Sequence, residues 1–329
     1  MTILAIETSC DETAAAIVDG TGRLRSSVVA SQADLHAPYG GVVPEVASRR
    51  HLELAEPVVA AALERAGMGL DDIDAVAVTE GPGLIGALLV GVATAKAIAF
   101  ARRLPLIPVD HLHGHIAALY LEPDPLRPPF LTLLVSGGHT LLAEVEDERG
   151  YKVIGRSLDD AAGEAFDKGA RLLGLGYPGG PRLERATAGG DDTAYDLPAP
   201  MVGREGHDFS FSGLKTALRY AVDGEPSVRE RRNDLAASYQ RAIVRSLVGR
   251  TMEAVDSTGH TTLAVVGGVA ANSALRAAFH EACDARGVTL ALAPMELCSD
   301  NAAMIASAAR FTDPVLFPDY LARDAYASL

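Results

Sequence analysis

Cysteine and tryptophan are scarce in this sequence of 329 residues, which contains three cysteines and no tryptophan. Cys10, Cys283 and Cys298 stand far apart, and an odd number without paired spacing supports neither a disulfide framework nor a cysteine zinc site. The sequence also lacks a basic leader with a small-residue cleavage site, and Lys96 interrupts the longest apolar stretch, 85–95, before it could span a bilayer. We therefore expect a cytoplasmic protein.

Positive charge is in the minority, with 29 lysine and arginine residues against 43 aspartate and glutamate residues and a net charge of −14. The negative net charge gives no indication of a nucleic-acid or membrane partner, so a polyanion would have to contact a local basic patch. The basic candidates are Arg49, Arg50, Arg102, Arg103, Arg229, Arg231, Arg232, Arg241 and Arg245. With 48% hydrophobic and 22% charged residues, the chain has enough apolar surface for a real core, and disorder is excluded.

The predicted order of strands and helices occurs twice along the chain. The first set is predicted as strands at 3–6, 14–18 and 24–30, a helix at 45–66, a strand at 75–79, a helix at 85–101, a strand at 106–109 and a helix capped by Asp110. The second is predicted as strands at 130–135, 140–145 and 151–156, a helix at 161–173, a strand at 263–266, a helix to about 286, a strand at 288–292 and a helix starting near Ser299 or Asp300. Aligned by position, Ser9 falls on Ser136 and Thr13 on Thr140.

This pattern predicts an internal duplication in the α/β class, with two β-β-β-α-β-α-β-α lobes that face each other across a cleft. We expect the first lobe over residues 1–125 and the second over 126–300. An insertion rich in glycine, proline and aspartate is expected at about 175–235. A terminal helix over 301–329 is expected to pack back on the first lobe.

The segment HLHGH (111–115) is the sharpest chemical feature of the sequence. On a helix, His111 and His115 would share a face and could bind one metal ion, while His113 would point elsewhere. The duplication places Asp300 at the equivalent helix start in the other lobe, and two imidazoles with one carboxylate converging from both lobes would suit iron or zinc. The alternative is a chance cluster of histidines without a ligand.

Glycine-rich turns occur at 136–138, 179–180 and 267–268. Backbone amides in such turns can approach a phosphate, although glycine is as often required only by turn geometry. Neither a P-loop nor a dinucleotide-binding motif is present, so the turns favour another mode of binding a nucleotide or an acyl phosphate. Asp11 and Glu12, in the first turn of the chain, are weaker candidates because solvated charge pairs are common there.

Nine motifs, taken in order, resemble the bacterial type of the tRNA N6-adenosine threonylcarbamoyltransferase family, formerly labelled O-sialoglycoprotein endopeptidases. They are AIETSCDET (5–13), GGVVPEVASRRH (40–51), EGPGLIGALLVG (80–91), DHLHGH (110–115), LVSGGHT (134–140), GEAFDKGARLLGLGYPGGP (163–181), FSFSGLKTA (209–217), VVGGVAANSALR (265–276) and CSDNAAMIA (298–306). The match covers almost the whole chain. Leu134 replaces a tyrosine of the archaeal and eukaryotic branch, and Glu184 stands where some members carry aspartate.

The resemblance implies an actin-like, sugar-kinase-like fold of duplicated RNase H-type lobes with a central cleft. It also implies transfer of a threonylcarbamoyl group from threonylcarbamoyl-AMP to N6 of the adenosine 3′-adjacent to the anticodon in tRNAs that read ANN codons. One Fe²⁺ or Zn²⁺ per subunit would be bound by His111, His115 and Asp300. The resemblance identifies no general base, and Asp11 or Glu12 is our own candidate for that role. The adenylate would be bound by Leu134, Val135, Ser136, Gly137, Gly138, Asp167, Gly180 and Asn272.

The implied partners are tRNA, a small paralogous companion subunit and a P-loop ATPase, with no membrane. The nearest alternative is a metal-dependent O-carbamoyltransferase of the same fold that acts on a small molecule, although such enzymes usually carry extra domains. A sugar or acetate kinase would not need the histidine pair, and a scaffold subunit without activity would lack it. A protease of the HExxH type is not matched, because Leu112 follows the first histidine.

Overall fold

The computed structural model describes residues 1–121 and 123–328, which form two compact units. The first unit combines residues 1–128 with the short segment Asp147–Gly150 and the chain from Ser299 onward. The second unit combines Pro129–Glu146 with Tyr151–Cys298. The chain therefore leaves the first unit and returns to it, and Asp300 belongs to the same unit as the HLHGH segment.

The first unit is built on one mixed sheet of five strands in the order β3-β2-β1-β4-β5. Its elements are β1 (Ile3–Glu7), β2 (Glu12–Val18), β3 (Leu24–Ser31), α1 (Ala33–His36), α2 (Pro44–Ala66), β4 (Ala75–Gly81), α3 (Ile85–Arg102), β5 (Leu106–Asp110) and α4 (His111–Ala117). Strand β1 runs antiparallel to β2 and parallel to β4, and all five of its residues are buried. An entirely buried strand is expected where a parallel sheet is covered on both faces.

The second unit repeats this sheet, with the order β10-β9-β6-β7-β8. Its elements are β6 (Phe130–Val135), β7 (Thr140–Val145), β8 (Lys152–Arg156), α5 (Ala162–Leu172), α6 (Gly179–Ala186), α7 (Ser212–Asp223), α8 (Arg232–Thr258), β9 (Thr262–Val266), α9 (Ser273–Asp284), β10 (Thr289–Leu292) and α10 (Met295–Cys298). As in the first unit, three antiparallel strands continue into two parallel ones. The shared order confirms the predicted duplication.

The two hairpins at the start of each unit differ in length. Glu7 pairs with Ala14 across the first turn, whereas Val135 pairs with Thr140 across the second. The first turn is therefore longer, and the alignment of Thr13 with Thr140 by position does not follow the strand register. A turn can absorb extra residues without disturbing the sheet, whereas a slip within the strands would exchange their faces.

The helix predicted over 301–329 is much shorter in the structure. Helix α11 (Ala302–Ala309) follows the N-cap residue Asn301, so it also begins later than the predicted start at Ser299 or Asp300. Beyond it, Pro314 and Pro318 lack a backbone donor, and Val315 instead exchanges two backbone hydrogen bonds with Leu106 at the edge of the first sheet. The segment thus extends the sheet rather than the helix.

Helix α3 is long and apolar enough, by length and composition alone, to cross a membrane. Its buried side chains include Ala87, Leu88, Val92 and Ala95. Val92, Ala95 and Ala99 belong to the hydrophobic core of the first unit, together with residues of β1 and β4. These contacts are those of a core helix in a globular unit.

Candidate functional site

Three potential metal ligands of the first unit come together at one end of its sheet. His111 and His115 lie on α4, which follows β5 directly, and Asp300 lies just before α11. The Asp300 Oδ1 atom is 3.5 Å from His111 Nε2 and 3.2 Å from His115 Nε2. One ligand atom from each residue lies within 4.8 Å of the others, so the group could hold a metal ion.

The chemistry of this group fits a cation. His115 is buried, and neither of its ring nitrogens makes a well-aligned hydrogen bond in the part of the chain that the structure describes, although Asp300 Oδ1 lies 3.2 Å from Nε2. A buried imidazole without a well-aligned hydrogen bond is unfavourable, and an ion bound between Nε2 and the carboxylate would satisfy both groups. Two imidazoles and one carboxylate are also a common donor set for zinc and for non-haem iron.

Glu7, which the sequence analysis did not identify, holds the His111 ring from the other side. It is the last residue of β1 and is completely buried. Its carboxylate lies 3.2 Å from His111 Nδ1 and also accepts hydrogen bonds from the Ser9 amide and the Thr79 hydroxyl. With a proton on Nδ1, the ring presents Nε2 to Asp300, which is how outer carboxylates orient metal-bound histidines. The sequence feature that could have identified Glu7 is a charged residue at the end of an otherwise apolar strand.

The charges around His111 favour its protonated form while no metal is bound. Burial alone would lower the pKa of His111, but Asp300 and Glu7 outweigh burial and raise that pKa to about 9. Burial likewise would raise the pKa of Glu7, but the attraction of His111 lowers that pKa below its usual value. A metal ion bound at His111 would therefore replace a proton.

Helix α4 begins as the sequence predicts. The Asp110 side chain accepts a hydrogen bond of 2.8 Å from the backbone amide of His113, which makes Asp110 the N-cap residue. The His113 ring is turned to the Glu148 carbonyl, 3.0 Å from its Nε2 atom. His113 is therefore engaged outside the group formed by His111, His115 and Asp300.

Asp11 lies in the turn between β1 and β2, and Glu12 is the first residue of β2. Asp11 is buried, and the Glu12 carboxylate accepts a hydrogen bond of 3.2 Å from the Ser31 hydroxyl. Burial raises the pKa of Glu12 well above its usual value, and the negative charges of Asp300 and Asp11 raise it further.

In the second unit, the predicted donor-binding turn follows β6 directly. Leu134 and Val135 are the buried end of the strand, and Ser136 closes the turn through hydrogen bonds with the backbone of His139. Gly137 and Gly138 are exposed, and a Cβ atom at either position would have no neighbour within 4 Å. Neither glycine has a positive φ. The turn geometry therefore does not require glycine at either position.

The glycines that packing does require are Gly163 and Gly267. A Cβ on Gly163, at the start of α5, would lie 2.4 Å from the Ser136 carbonyl oxygen. A Cβ atom on Gly267, which has a φ of +95°, would lie equally close to the Val135 carbonyl oxygen. These two glycines bring α5 and the end of β9 against the 136–138 turn.

Asp167 lies where α5 contacts the beginning of α6, and Gly180 is the second residue of α6. The Asp167 Oδ1 atom accepts a hydrogen bond of 2.8 Å from the amide of Gly179, the first residue of α6. Further along α6, Glu184 accepts hydrogen bonds from the amide and hydroxyl groups of Ser273. Glu184 thereby fastens α6 to the beginning of α9, a structural role that the sequence did not indicate.

Asn272 is the N-cap residue of α9 and also contacts α8. Its Oδ1 atom accepts a hydrogen bond from Leu275, and its Nδ2 atom donates one of 2.8 Å to Gln240. Gln240 in turn lines a cavity of about 530 Å³ within the second unit. The cavity is lined by Thr187, Gly190, Asp191, Asp192, Ala237, Gln240, Arg241, Val244, Arg245, Ala274 and Ala278. Asn272 therefore stands beside a space large enough for part of a small ligand.

Known proteins resemble this chain over most of its length. A family model described as tRNA N6-adenosine threonylcarbamoyltransferase matches residues 23–307. A protein of that name from Symbiobacterium thermophilum is 55% identical over 93% of this chain and 90% of its own length. Another from Geobacter sp. (strain M21) is 52% identical over the same shares.

The fold has relatives outside this family. The crystal structure of component A of (R)-2-hydroxyglutaryl-CoA dehydratase from Acidaminococcus fermentans has a TM-score of 0.57 at 15% identity, with 95% of this chain and 97% of that chain covered. At that identity the likeness shows the fold alone, which is the predicted actin-like one. The two bacterial relatives, in contrast, are more than half identical to this chain over nearly its full length, and the family model matches most of it. The chain belongs to the tRNA N6-adenosine threonylcarbamoyltransferase family.

Proposed function

We propose that the chain transfers a threonylcarbamoyl group from threonylcarbamoyl-AMP to N6 of the adenosine 3′-adjacent to the anticodon in tRNAs that read ANN codons. The product is N6-threonylcarbamoyladenosine. The observation that carries the proposal is the buried group of His111, His115 and Asp300 in a chain of this family.

The reaction is an acyl transfer to a weak nucleophile. The exocyclic N6 amine attacks the carbonyl carbon of the threonylcarbamoyl group, and a new C–N bond forms. The bond from that carbon to the phosphate oxygen breaks, AMP departs with the electron pair, and N6 loses one proton. Because the mixed anhydride already carries a good leaving group, the chain needs no serine or cysteine nucleophile.

We propose that His111, His115 and Asp300 hold one Fe²⁺ or Zn²⁺ per chain. When bound, such an ion supplies Lewis acidity that favours negative charge on an oxygen atom of the donor. Glu7 keeps the His111 ring in the orientation that presents Nε2, and the cap from Asp110 fixes the start of α4. The hydrogen bond from His113 to Glu148 keeps the third histidine out of the ligand group.

The second unit is the proposed binding site for the adenylate. Gly137 and Gly138 are exposed, so their amides are accessible to a phosphate, and Leu134 and Val135 hold the turn at the end of a buried strand. Asp167 and Gly180 are proposed to contact the donor where α5 meets α6. Asn272, beside the 530 Å³ cavity, is proposed to contact it from α9.

Asp11 or Glu12 is the proposed general base for the N6 proton. Burial and the neighbouring carboxylates raise the pKa of Glu12. A carboxylate with a raised pKa is the stronger base once it is ionised, which suits proton removal near neutral pH.

The remaining proposals concern partners and location. We propose that the chain works in the cytoplasm with a small paralogous companion subunit and a P-loop ATPase. The companion is proposed to bind the apolar surface formed by Leu52 on α2 with Ile85 and Leu89 on α3, which are 68%, 46% and 45% exposed. Ile85 and Leu89 are four residues apart and share one helix face, as a partner helix would require.

The decisive experiment reconstitutes the reaction. The purified chain, the companion subunit, the ATPase, threonylcarbamoyl-AMP and unmodified tRNA are incubated, and the tRNA nucleosides are analysed by mass spectrometry. We expect N6-threonylcarbamoyladenosine with the wild type and none with His111→Ala/His115→Ala. A tRNA with guanosine at the target position is the substrate control. Carbamoylation of added small molecules without any change in tRNA would favour the O-carbamoyltransferase alternative.

A further inference from the structure

The segment from Asp319 to Ala327 forms a strap in the first unit, and it begins with a short 3-10 helix over Asp319–Ala322. The strap contacts α3 and the end of β4, where the Tyr326 amide donates a hydrogen bond of 3.0 Å to the Glu80 carbonyl. The Arg323 guanidinium also pairs with the Glu80 carboxylate. On α3, the Lys96 ammonium group donates hydrogen bonds to two carbonyls of the strap. The path of the strap is therefore fixed at several points.

Tyr326 contacts the turn most closely. A Cβ atom on Gly81, which has a φ of +155°, would lie 2.3 Å from the Tyr326 carbonyl oxygen and 2.7 Å from its ring. Only a glycine at position 81 leaves room for the tyrosine in this place. The ring is thereby set against the end of β4 with its hydroxyl directed to the neighbouring strand end.

The Tyr326 hydroxyl reaches the residue that begins the metal-binding helix. It lies 3.0 Å from Asp110 Oδ2 and 3.0 Å from the Gly81 carbonyl, and it can donate its proton to either. The other carboxylate oxygen, Asp110 Oδ1, caps α4 through the His113 amide. Tyr326 therefore holds one oxygen of the carboxylate whose other oxygen starts the helix.

Helix α4 depends on this cap because it is short. It spans only His111–Ala117, and isolated helices of such length are unstable in water. His111 is the first residue of the helix and follows Asp110 directly, so rotation of the Asp110 side chain would disturb the position of a ligand. Through the Tyr326 side chain, the strap thus contacts the residue that directly precedes the first ligand.

We propose that Tyr326 is a positioning residue for the metal-binding group and acts through Asp110. Its hydroxyl fixes the Asp110 carboxylate, the carboxylate fixes the first turn of α4, and that turn fixes His111 and His115. This inference rests on the proposed metal-binding role of the two histidines.

The test measures the affinity of the whole chain for Zn²⁺ alone, by competition with a chromophoric chelator. Tyr326→Phe removes only the hydroxyl, and we expect a roughly tenfold higher Kd for Zn²⁺ with an unchanged stoichiometry. A tenfold change is the lower limit of the effects that are typical of residues supporting metal ligands. Tyr220→Phe is the matched control, since that tyrosine is exposed on α7 and should leave the Kd unchanged. Arg323→Gln loosens the strap without touching Asp110 and should have a smaller effect than Tyr326→Phe.

A double-mutant comparison tests whether Tyr326 acts through Asp110. In an Asp110→Asn background, Tyr326→Phe should cost little further affinity, because the hydroxyl acts through the carboxylate. The melting temperature of the metal-free variants is measured in parallel, since a strap with only a structural role would lower it and leave the Kd for Zn²⁺ unchanged. Equal Kd values for the wild type and Tyr326→Phe would overturn this inference alone. Failure of the wild type to bind Zn²⁺ would overturn the proposed metal centre together with it.

Discussion

The Nδ1 atom of His111 lies 3.2 Å from the Oε2 atom of Glu7, at the buried end of β1. This contact joins two residues that are distant in sequence, and it turns the Nε2 atom of the histidine to Asp300. Glu7 is thereby tied to the proposed metal chemistry without being a ligand itself.

Replacement of Glu7 should weaken metal binding and leave the ligands in place. Glu7→Gln keeps the shape of the side chain but removes the charge that orients His111, so we expect a loss of about 10-fold to 100-fold in Zn²⁺ affinity. Thr79→Val, which removes a different hydrogen bond to the same carboxylate, should cost less. Chelator competition measures both, and an unchanged affinity in Glu7→Gln would show that His111 needs no such partner.

Removal of both histidines should abolish metal binding. His111→Ala/His115→Ala leaves one carboxylate of the group, which is too few protein ligands for a stable site. We expect about one metal ion per wild-type chain by elemental analysis, and none in the double variant. His113→Ala, whose ring bonds to Glu148 instead, should retain the metal even if it lowers the melting temperature.

Two glycine substitutions should separate donor binding from folding. Gly138→Ala places a methyl group in open space, so the free energy of unfolding should change by less than about 0.5 kcal/mol, while affinity for a stable threonylcarbamoyl-adenylate analogue falls about tenfold. Gly163→Ala should destabilise the chain by about 1–3 kcal/mol, because its Cβ would press on the Ser136 carbonyl. Calorimetry and denaturant titration measure the two effects. If Gly138→Ala bound the analogue normally, the turn would not contact the phosphate.

Stability should fall in mild acid because of His51. Burial lowers the pKa of this histidine below its usual 6.5, with the neighbouring His36 acting in the same direction and the Cys10 carbonyl, Glu7 and Asp11 opposing. The folded chain therefore prefers neutral His51, and the stability it contributes is present above pH 6.5 and is lost as the pH falls from 6.5 through the lower folded pKa.

Denaturant titration between pH 7.5 and 5 checks this expectation. One such group changes the free energy of unfolding by at most about 1.4 kcal/mol per pH unit. In His51→Gln the dependence on pH should be weaker, even though the hydrogen bonds with Thr13 and Cys10 are disturbed. A pH dependence as steep as that of the wild type would assign the effect to another group.

Charge reversal at Arg229 should weaken tRNA binding more than reversal at Arg231. Arg231 is already paired with Asp234 at 2.9 Å and lies over the Tyr195 ring, whereas Arg229 is exposed on the same segment. If Arg229 contacts a phosphate, Arg229→Glu should reduce the slope of log affinity against log salt by about one. Arg127→Glu, a distant exposed arginine, is the control. We expect the isolated chain, with its net charge of −14, to bind tRNA weakly until the partner subunits are added.

The sequence by itself determined the strands, the duplication and the main ligand pair. Alternating and continuous apolar runs located the ten strands within residues 1–121 and 123–328 to within about two residues, because most of these strands carry buried apolar side chains. The spacing of His111 and His115 was enough to place them together, since a helix has a fixed repeat. Asp110 could be predicted as the N-cap residue of α4, because a capping side chain accepts hydrogen bonds from backbone amides only two or three residues further along the chain.

Only the tertiary structure decided which distant residues support that pair. Glu7 and Tyr326 contact His111 and Asp110 across more than one hundred residues, and no local pattern encodes such a contact. The same holds for the glycines: Gly137 and Gly138 look essential in sequence, but a Cβ atom at either position would meet no neighbour within 4 Å, whereas a Cβ atom on Gly163 or Gly267 would press on another backbone segment. Local propensity governs which element forms, whereas the neighbours of a side chain depend on how the strands are ordered in the sheet, and that order is a property of the whole packed unit.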